Sequence, residues 1–325
     1  MIMNNSPLYR KKFITIACAL GLLCSCQSGE GFPEAKPEIP GGLTAPFIIE
    51  SVAEAGVEPS ADIVTRAAIP IVSGSIGVFL ADAAGGSYES RHNACYTYDT
   101  AESKWSSNDA LFFNEGDAHV CAYYPYDDTQ TDSKAIKLTT QKYDAAKDLS
   151  FATNLTMNAT ANTVNFNMDH AYALLELRLK RDAIKDDLAF KQIDVIAAGL
   201  TNTTTVDITD GTFSATPTIL DGGKLSMPLD PVLTLPKSTA TTVLKVLIVP
   251  TGTLTGGTKF TFTLDDDDST TMSVTIASLS RYEKKKRYIA NLTVNGTDVA
   301  ANSVSVVPWT EISLGSEDSP YVPEI

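Results

Sequence analysis

The sequence predicts an all-β protein of two tandem β-sandwich domains, carried behind an export signal and a flexible leader. Three features predict it. From residue 67 onward, short apolar runs rich in Val, Ile, Thr, Tyr and Phe recur between turn residues, the pattern of many short strands. Several runs alternate with the two-residue period of a strand buried on one face. No long amphipathic helical pattern interrupts them, residues 182–188 offering one helical turn at most.

The elements follow in order. Arg10, Lys11 and Lys12 precede an apolar run over residues 13–23. That run is too short to span a bilayer, which takes about 20 apolar residues, and fits the core of an export signal over residues 1–25. It ends in Leu23-Cys24-Ser25-Cys26, which resembles a bacterial lipobox with Cys26 as the acylated first residue of the exported chain. Two acyl chains anchor far better than one, at about 0.8 kcal/mol per buried CH₂. Residues 27–46, rich in Pro, Gly and Glu, read as a flexible stalk. Phe47-Ile48-Ile49-Glu50-Ser51-Val52 is then a short apolar run, followed by polar residues to Arg66.

Strands are expected at 76–80, 94–98, 111–113, 120–124 and 135–138, and again at 171–179, 192–197, 203–208 and 244–249. Four more, at 259–264, 272–276, 288–294 and 303–307, complete the series. In Lys259-Phe260-Thr261-Phe262-Thr263-Leu264 the apolar residues share one face, and two packed sheets bury such faces most simply. About 260 residues follow the leader, room for two domains of ordinary size. The polar stretch 158–163 is the expected boundary, giving residues 26–66 as leader, 67–160 as the first sandwich and 161–325 as the second.

The formal charge is −14, and loss of the signal's three cations makes the exported chain more acidic still. No basic patch is left for nucleic acid or anionic lipid, and the cluster 284–287 reads as a solvated turn. Past the signal the cysteines are Cys26, Cys95 and Cys121. An oxidising compartment permits a Cys95–Cys121 bridge; two separate thiols fit the sequence equally.

Reactive groups are scarce. The three histidines, His92, His119 and His170, form no metal-binding spacing. No nucleophile elbow or phosphate-cradling loop is present. The carboxylates 265–268 read as a hairpin tip rather than a Ca²⁺ loop. His170 reads as a hydrogen-bonded structural imidazole. No catalytic residue, metal site or cofactor is expected. Tyr123-Tyr124-Pro125-Tyr126 reads as core packing, with sugar stacking as the alternative.

Several phrases together resemble the fimbrillin family of Bacteroidales pili, in its Mfa-like branch. They are Ser75-Ile76-Gly77-Val78-Phe79-Leu80, then Asn93-Ala94-Cys95-Tyr96-Thr97-Tyr98-Asp99 with Trp105, then Ala122-Tyr123-Tyr124-Pro125-Tyr126. Asn165-Phe166-Asn167-Met168-Asp169-His170-Ala171-Tyr172, Arg287-Tyr288-Ile289-Ala290-Asn291-Leu292 and Pro308-Trp309 follow.

The resemblance implies two transthyretin-like sandwiches in a non-enzymatic pilus subunit. Such a subunit travels as a lipoprotein to the outer membrane, held by its lipid anchor. An Arg-specific protease then cuts it and it joins an extracellular fimbria. Val64-Thr65-Arg66-Ala67-Ala68 matches the cleavage phrase, with the cut between Arg66 and Ala67. The cut removes a first strand, for which Phe47, Ile48, Ile49 and Val52 are the candidates, and another subunit's strand replaces it. Implied partners are other pilus subunits and a host or bacterial surface receptor. Residues 310–325 are polar and broken by Pro320 and Pro323, a poor donor strand, which points to a tip or minor subunit. The alternative reading is an anchored surface glycan-binding lipoprotein using Tyr123 or Trp105 as its platform.

Overall fold

The computed structural model describes residues 45–54, 69–82, 84, 88, 93–114, 116–181, 187–236, 241–295 and 298–309. The signal, Cys26, the Arg66–Ala67 cleavage phrase, most of the expected helical turn and the tail past Trp309 lie outside the described residues.

The described chain is all-β. It opens with β1 (Ala45–Pro46), β2 (Ile48–Glu54), β3 (Ser75–Asp82), β4 (Ala94–Asp99), β5 (Lys104–Ser106), β6 (Phe112–Phe113) and β7 (Ala118–Tyr124). Then come β8 (Ile136–Thr139), β9 (Gln141–Lys142), β10 (Ser150–Met157), β11 (Thr163–His170) and β12 (Ala173–Arg181). Next are β13 (Leu188–Ala198), β14 (Thr201–Asp207), β15 (Thr212–Phe213), β16 (Thr218–Ile219) and β17 (Lys224–Leu235). The last are β18 (Thr241–Ile248), β19 (Thr255–Leu264), β20 (Thr271–Ile276), β21 (Lys286–Asn295) and β22 (Asp298–Pro308).

In the N-terminal half a seven-stranded sheet runs β2-β11-β10-β7-β3-β4-β5. Its two end strands, β2 and β5, come back into contact, so the sheet curls around its own core. That core gathers Ile76, Val78 and Leu80 from β3, Val120 and Ala122 from β7, and Val164, Phe166 and Met168 from β11. β1 and β6 form a separate two-stranded piece. Between β10 and β11, Asn158 accepts from the amides of Thr160 and Ala161 through its own side chain, a turn chemistry Asn supplies readily.

The C-terminal half packs a five-stranded sheet, β22-β21-β12-β18-β9, against a four-stranded sheet, β17-β13-β19-β20. Leu175, Leu177 and Leu179 on β12 meet Phe190, Ile193 and Val195 on β13 and Phe260 and Phe262 on β19. The alternation read in the sequence of β12 and β19 is the alternation that fills this core. Tyr282 lies wholly buried there, its hydroxyl donating to Thr258.

A third core lies between the halves. It takes Phe79, Cys121 and Tyr123 from the opposite faces of β3 and β7, Leu174 and Leu247 from the second sandwich, and Val206 from β14. β3 and β7 are therefore buried on both faces, which accounts for their nearly unbroken apolar runs. Within this joint the indole of Trp309 stacks on His170 at 3.7 Å, 8° from parallel. His170 Nδ1 lies 3.0 Å from Asp148 Oδ1, so the imidazole is the structural group its sequence setting pointed to.

The expected boundary near residue 160 falls inside the first sheet. β8 and β9 leave to pair with β14 and β18, and the chain then returns for β10 and β11. The basic turn also differs from a solvated one. Lys284 is half-buried, its ammonium over the rings of Phe151 and Phe213 and donating to Gly211 O. Residues 265–268 do form the tip between β19 and β20.

Glu176 sits on the outward face of β12 yet is only 2% exposed, covered by Arg178 and Arg287. Burial pushes its carboxyl up, and the two guanidiniums outweigh burial and hold it below the ordinary carboxylate range. A depressed folded-state value contributes stability above the unfolded value of about 4.3 and loses it as pH falls through the folded value. Urea unfolding of Glu176→Gln should therefore show a deficit at neutral pH that shrinks as the pH is taken below about 4.

Candidate assembly site

The N-terminal residues 45–54 bridge two pieces of the first sandwich. β1 pairs with β6, Ala45 opposite Phe113. The chain then changes partner: Phe47 N donates to Leu111 O, and Ile48 N donates to Asn162 O. From there β2 runs parallel to β11 at the edge of the large sheet, Ile48 opposite Thr163 through Glu54 opposite Met168.

The side chains show why this segment seats firmly. Phe47 is 4% exposed. Its ring meets Tyr96 at 5.6 Å and 78° and Phe113 at 5.8 Å and 70°, the edge-on geometry aromatic rings prefer, and Phe166 at 6.3 Å in a tilted contact. Ile49 and Val52 are buried in the same core. Two strand residues three apart share a face only if the register shifts between them, and it does, between Val164 and Asn165. The extra residue is a β-bulge. Outside, Asn165 Nδ2 donates to Glu50 Oε2 and Ser51 Oγ donates to Asn165 Oδ1.

The chain past the cleavage phrase returns to the same place. Ile71 N donates to Val52 O, Glu54 N donates to Ile69 O, and Ile71 is buried. Ile69 and Val72, by contrast, are exposed.

Of the four candidate strand residues, Phe47, Ile49 and Val52 come together in one core. Ile48 does not: it is 45% exposed, because in a strand the residue after Phe47 points to the opposite face. Cys95 and Cys121 are free thiols. They sit on β4 and β7, with β3 between those strands, and two strand spacings of about 4.8 Å each exceed the reach of a disulfide. Burial, with the charge of Asp207 adding, pushes the Cys121 thiol up to about 12. Tyr123 and Trp105 are both buried, so neither is a solvent-facing sugar platform. Among the described residues no group of three His, Cys, Asp or Glu is placed to hold a metal ion.

Sequence reasoning missed β10 and β11, and with them the strand that receives β2. The signal was present: Val164, Phe166, Met168 and His170 alternate with Thr163, Asn165, Asn167 and Asp169. The Asn residues hid it, being disfavoured in strands. β17 was missed for its prolines, Pro228 and Pro231, which an edge strand tolerates and which stand at an edge here.

The N-terminal segment thus finishes the edge of the first sandwich. The chain belongs to the fimbrillin-like family, whose pattern matches residues 65–309, a span that starts past β2. No curated protein matches. Among solved structures, a candidate cell adhesion protein from Bacteroides uniformis is similar, with a TM-score of 0.58 at 18% identity, over 82% of this chain and 99% of that one. A second, from Bacteroides ovatus, has a TM-score of 0.57 at 15% identity, over 83% of this chain and 99% of that one. These likenesses are of fold.

Phe47→Ala should destabilise the first sandwich by about 3–5 kcal/mol, while Ile48→Ala should stay within about 0.5 kcal/mol of the parent. Chemical denaturation of the two variants side by side measures the contrast.

Proposed function

We propose that this protein is a subunit of a cell-surface pilus whose sandwich is completed first by its own β2 and then, after cleavage, by a strand from another subunit. The observation that carries the reading is the position of residues 47–54: β2 at the sheet edge, three apolar anchors (Phe47, Ile49 and Val52) in the core, and the phrase Arg66–Ala67 downstream. Each anchor contributes about 1.5–3 kcal/mol, together comparable with the whole net stability of a domain at about 5–15 kcal/mol. A cut after Arg66 leaves β2 held by non-covalent contacts alone. Its departure opens the edge of β11 and the aromatic niche around Phe47, a template for an incoming strand.

In this account the chain is exported as a lipoprotein acylated at Cys26 and waits on the outer membrane with β2 in place. Cleavage then commits it to the extracellular fimbria. The fimbrillin-like family supports the pilus setting. The proline-broken residues 310–325 would donate poorly to a ladder, which supports a tip or minor position with a surface receptor as the further partner.

Mass spectrometry of surface-purified pili should find this chain beginning at Ala67, and Arg66→Ala should leave it lipid-anchored through Cys26 and absent from pili. Pili containing the chain with residues 45–66 still attached would overturn the reading.

A further inference from the structure

We propose that the second sandwich carries a self-association edge, at which β22 pairs antiparallel with β22 of a second copy of this chain and joins their five-stranded sheets into one. The proposal uses neither β2 nor the cut at Arg66.

β22 is paired with β21 along its length, and no strand stands on its other side among the described residues. Free sheet edges are ordinarily kept short, charged, broken by proline or covered, and the other strands that end a sheet here follow that rule. β1, β5, β6, β8, β9, β15, β16 and β20 have six residues or fewer. β17 carries Pro228 and Pro231, and β2 is met by the return at Ile69–Ile71. β22 has eleven residues. Its stretch 299–307 is built of Val, Ala, Ser and one Asn, with no charge and no proline.

The register puts Val306 opposite Tyr288 and Val304 opposite Ala290, so both valines share the core-facing side of the sheet, as directly opposed residues do. Val306 is nevertheless 49% exposed and Val304 half-buried. β20, the strand of the other sheet that comes into contact with β22, has six residues to its eleven and does not cover its full length. The bulge falls at Asn302, since Ser303 lies opposite Asn291 and Ala301 opposite Leu292, which leaves 303–307 as an unbroken pairing segment. That segment is already fixed: Asn291 Nδ2 donates to Ser303 Oγ at 3.0 Å, and Trp309 beyond it is buried with its amide donating to Lys285 O. A strand held this way gives up little freedom on pairing.

Charge selects the occupant. The chain carries −14, so two copies repel over most of their surface, and a contact between them needs a stretch free of like charges. Antiparallel pairing about a two-fold axis at Ser305 sets Val304 opposite Val306 of the second copy and Ser303 opposite its Val307. The inner-face valines of the two copies then cover one another, and the two Asp298 side chains stand at opposite ends of the seam. Residues 310–325 fit the edge less well. Their first apolar side chains, Ile312 and Leu314, are followed by Gly315, Glu317 and Asp318, residue types depleted in strands. A seam this short is a weak interface, below the ~1,200 Å² of a standard one, and is populated at about 100 µM and above.

The test uses the full chain, uncleaved and carrying Cys26→Ser so that no lipid drives association. Sedimentation equilibrium from about 10 µM to about 1 mM should show a monomer passing to a dimer. Amide exchange over 303–307 should slow across the same range, while exchange over 163–168 beside β2 stays unchanged. Added salt should strengthen the dimer, because it screens the repulsion between two acidic bodies and leaves an uncharged seam alone. Val306→Lys, at an exposed position, should weaken the dimer about tenfold or more with unfolding unchanged. A monomer throughout, a dimer weakened by salt, or a dimer that survives Val306→Lys would overturn the proposal. So would protection of 303–307 that is independent of concentration and is lost when the chain is ended at Trp309, which would put residues 310–325 on the edge instead.

Discussion

The first sandwich depends on the pairing of β2 with β11. Every other strand in that sheet is joined to its neighbours by chain that stays with the fold. β2 alone is an edge strand lying upstream of the cleavage phrase, and its bonds run to one full neighbour and a short return at Ile69–Ile71. Phe47 is what makes this edge matter. Its ring closes a box of Tyr96, Phe113 and Phe166, so the same side chain ties the small β1–β6 piece to the large sheet. A sheet edge left open in water invites pairing with any extended chain. In the proposed account, a segment that one cut can release would hold the edge shut during export and open it for assembly.

The rest of the structure gives that edge a stable frame. The second sandwich has its own core, and the joint is a third core rather than a hinge of polar contacts. β3 and β7 serve both the first core and the joint, so distortion of the first sandwich is resisted by packing on its far side. Trp309 stacked on His170 fastens the end of β22 into the same joint, and Lys284 over Phe151 and Phe213 closes a further side of it. Losing β2 would then open a local edge on a frame that remains folded, which is what a polymer joint requires.

Much of this was legible in the sequence, and the exceptions have physical causes. Strands filled by β-branched and aromatic residues, such as 259–264 and 288–294, declared themselves because composition and period agreed. Phe47, Ile49 and Val52 stood out as an apolar run, with Ile48 left outside by simple alternation, but nothing in the run announced the bulge at Glu50 that puts Val52 on the inner face. β11 was hidden because asparagine occupies its outward, solvent-facing positions, and asparagine is disfavoured in strands. The division near residue 160 misled because turn residues mark a hairpin as readily as a domain boundary. That β8 and β9 cross to the other sandwich before β10 returns is a tertiary pairing without a local signal. The aromatic cluster at 123–126 was legible, but which of its rings face solvent is decided by packing, which buries Tyr123 and leaves Tyr126 partly open.

The central claim is that β2 is a removable cover over β11, and amide hydrogen exchange across residues 163–168 tests it most directly. In the intact chain these amides should exchange slowly. After cleavage at Arg66 and dissociation of the released segment they should exchange fast, and an added peptide spanning 45–54 should slow them again, with β12 and β19 protected throughout. Slow exchange over 163–168 in the cleaved chain, with the released segment gone and no peptide added, would contradict the account.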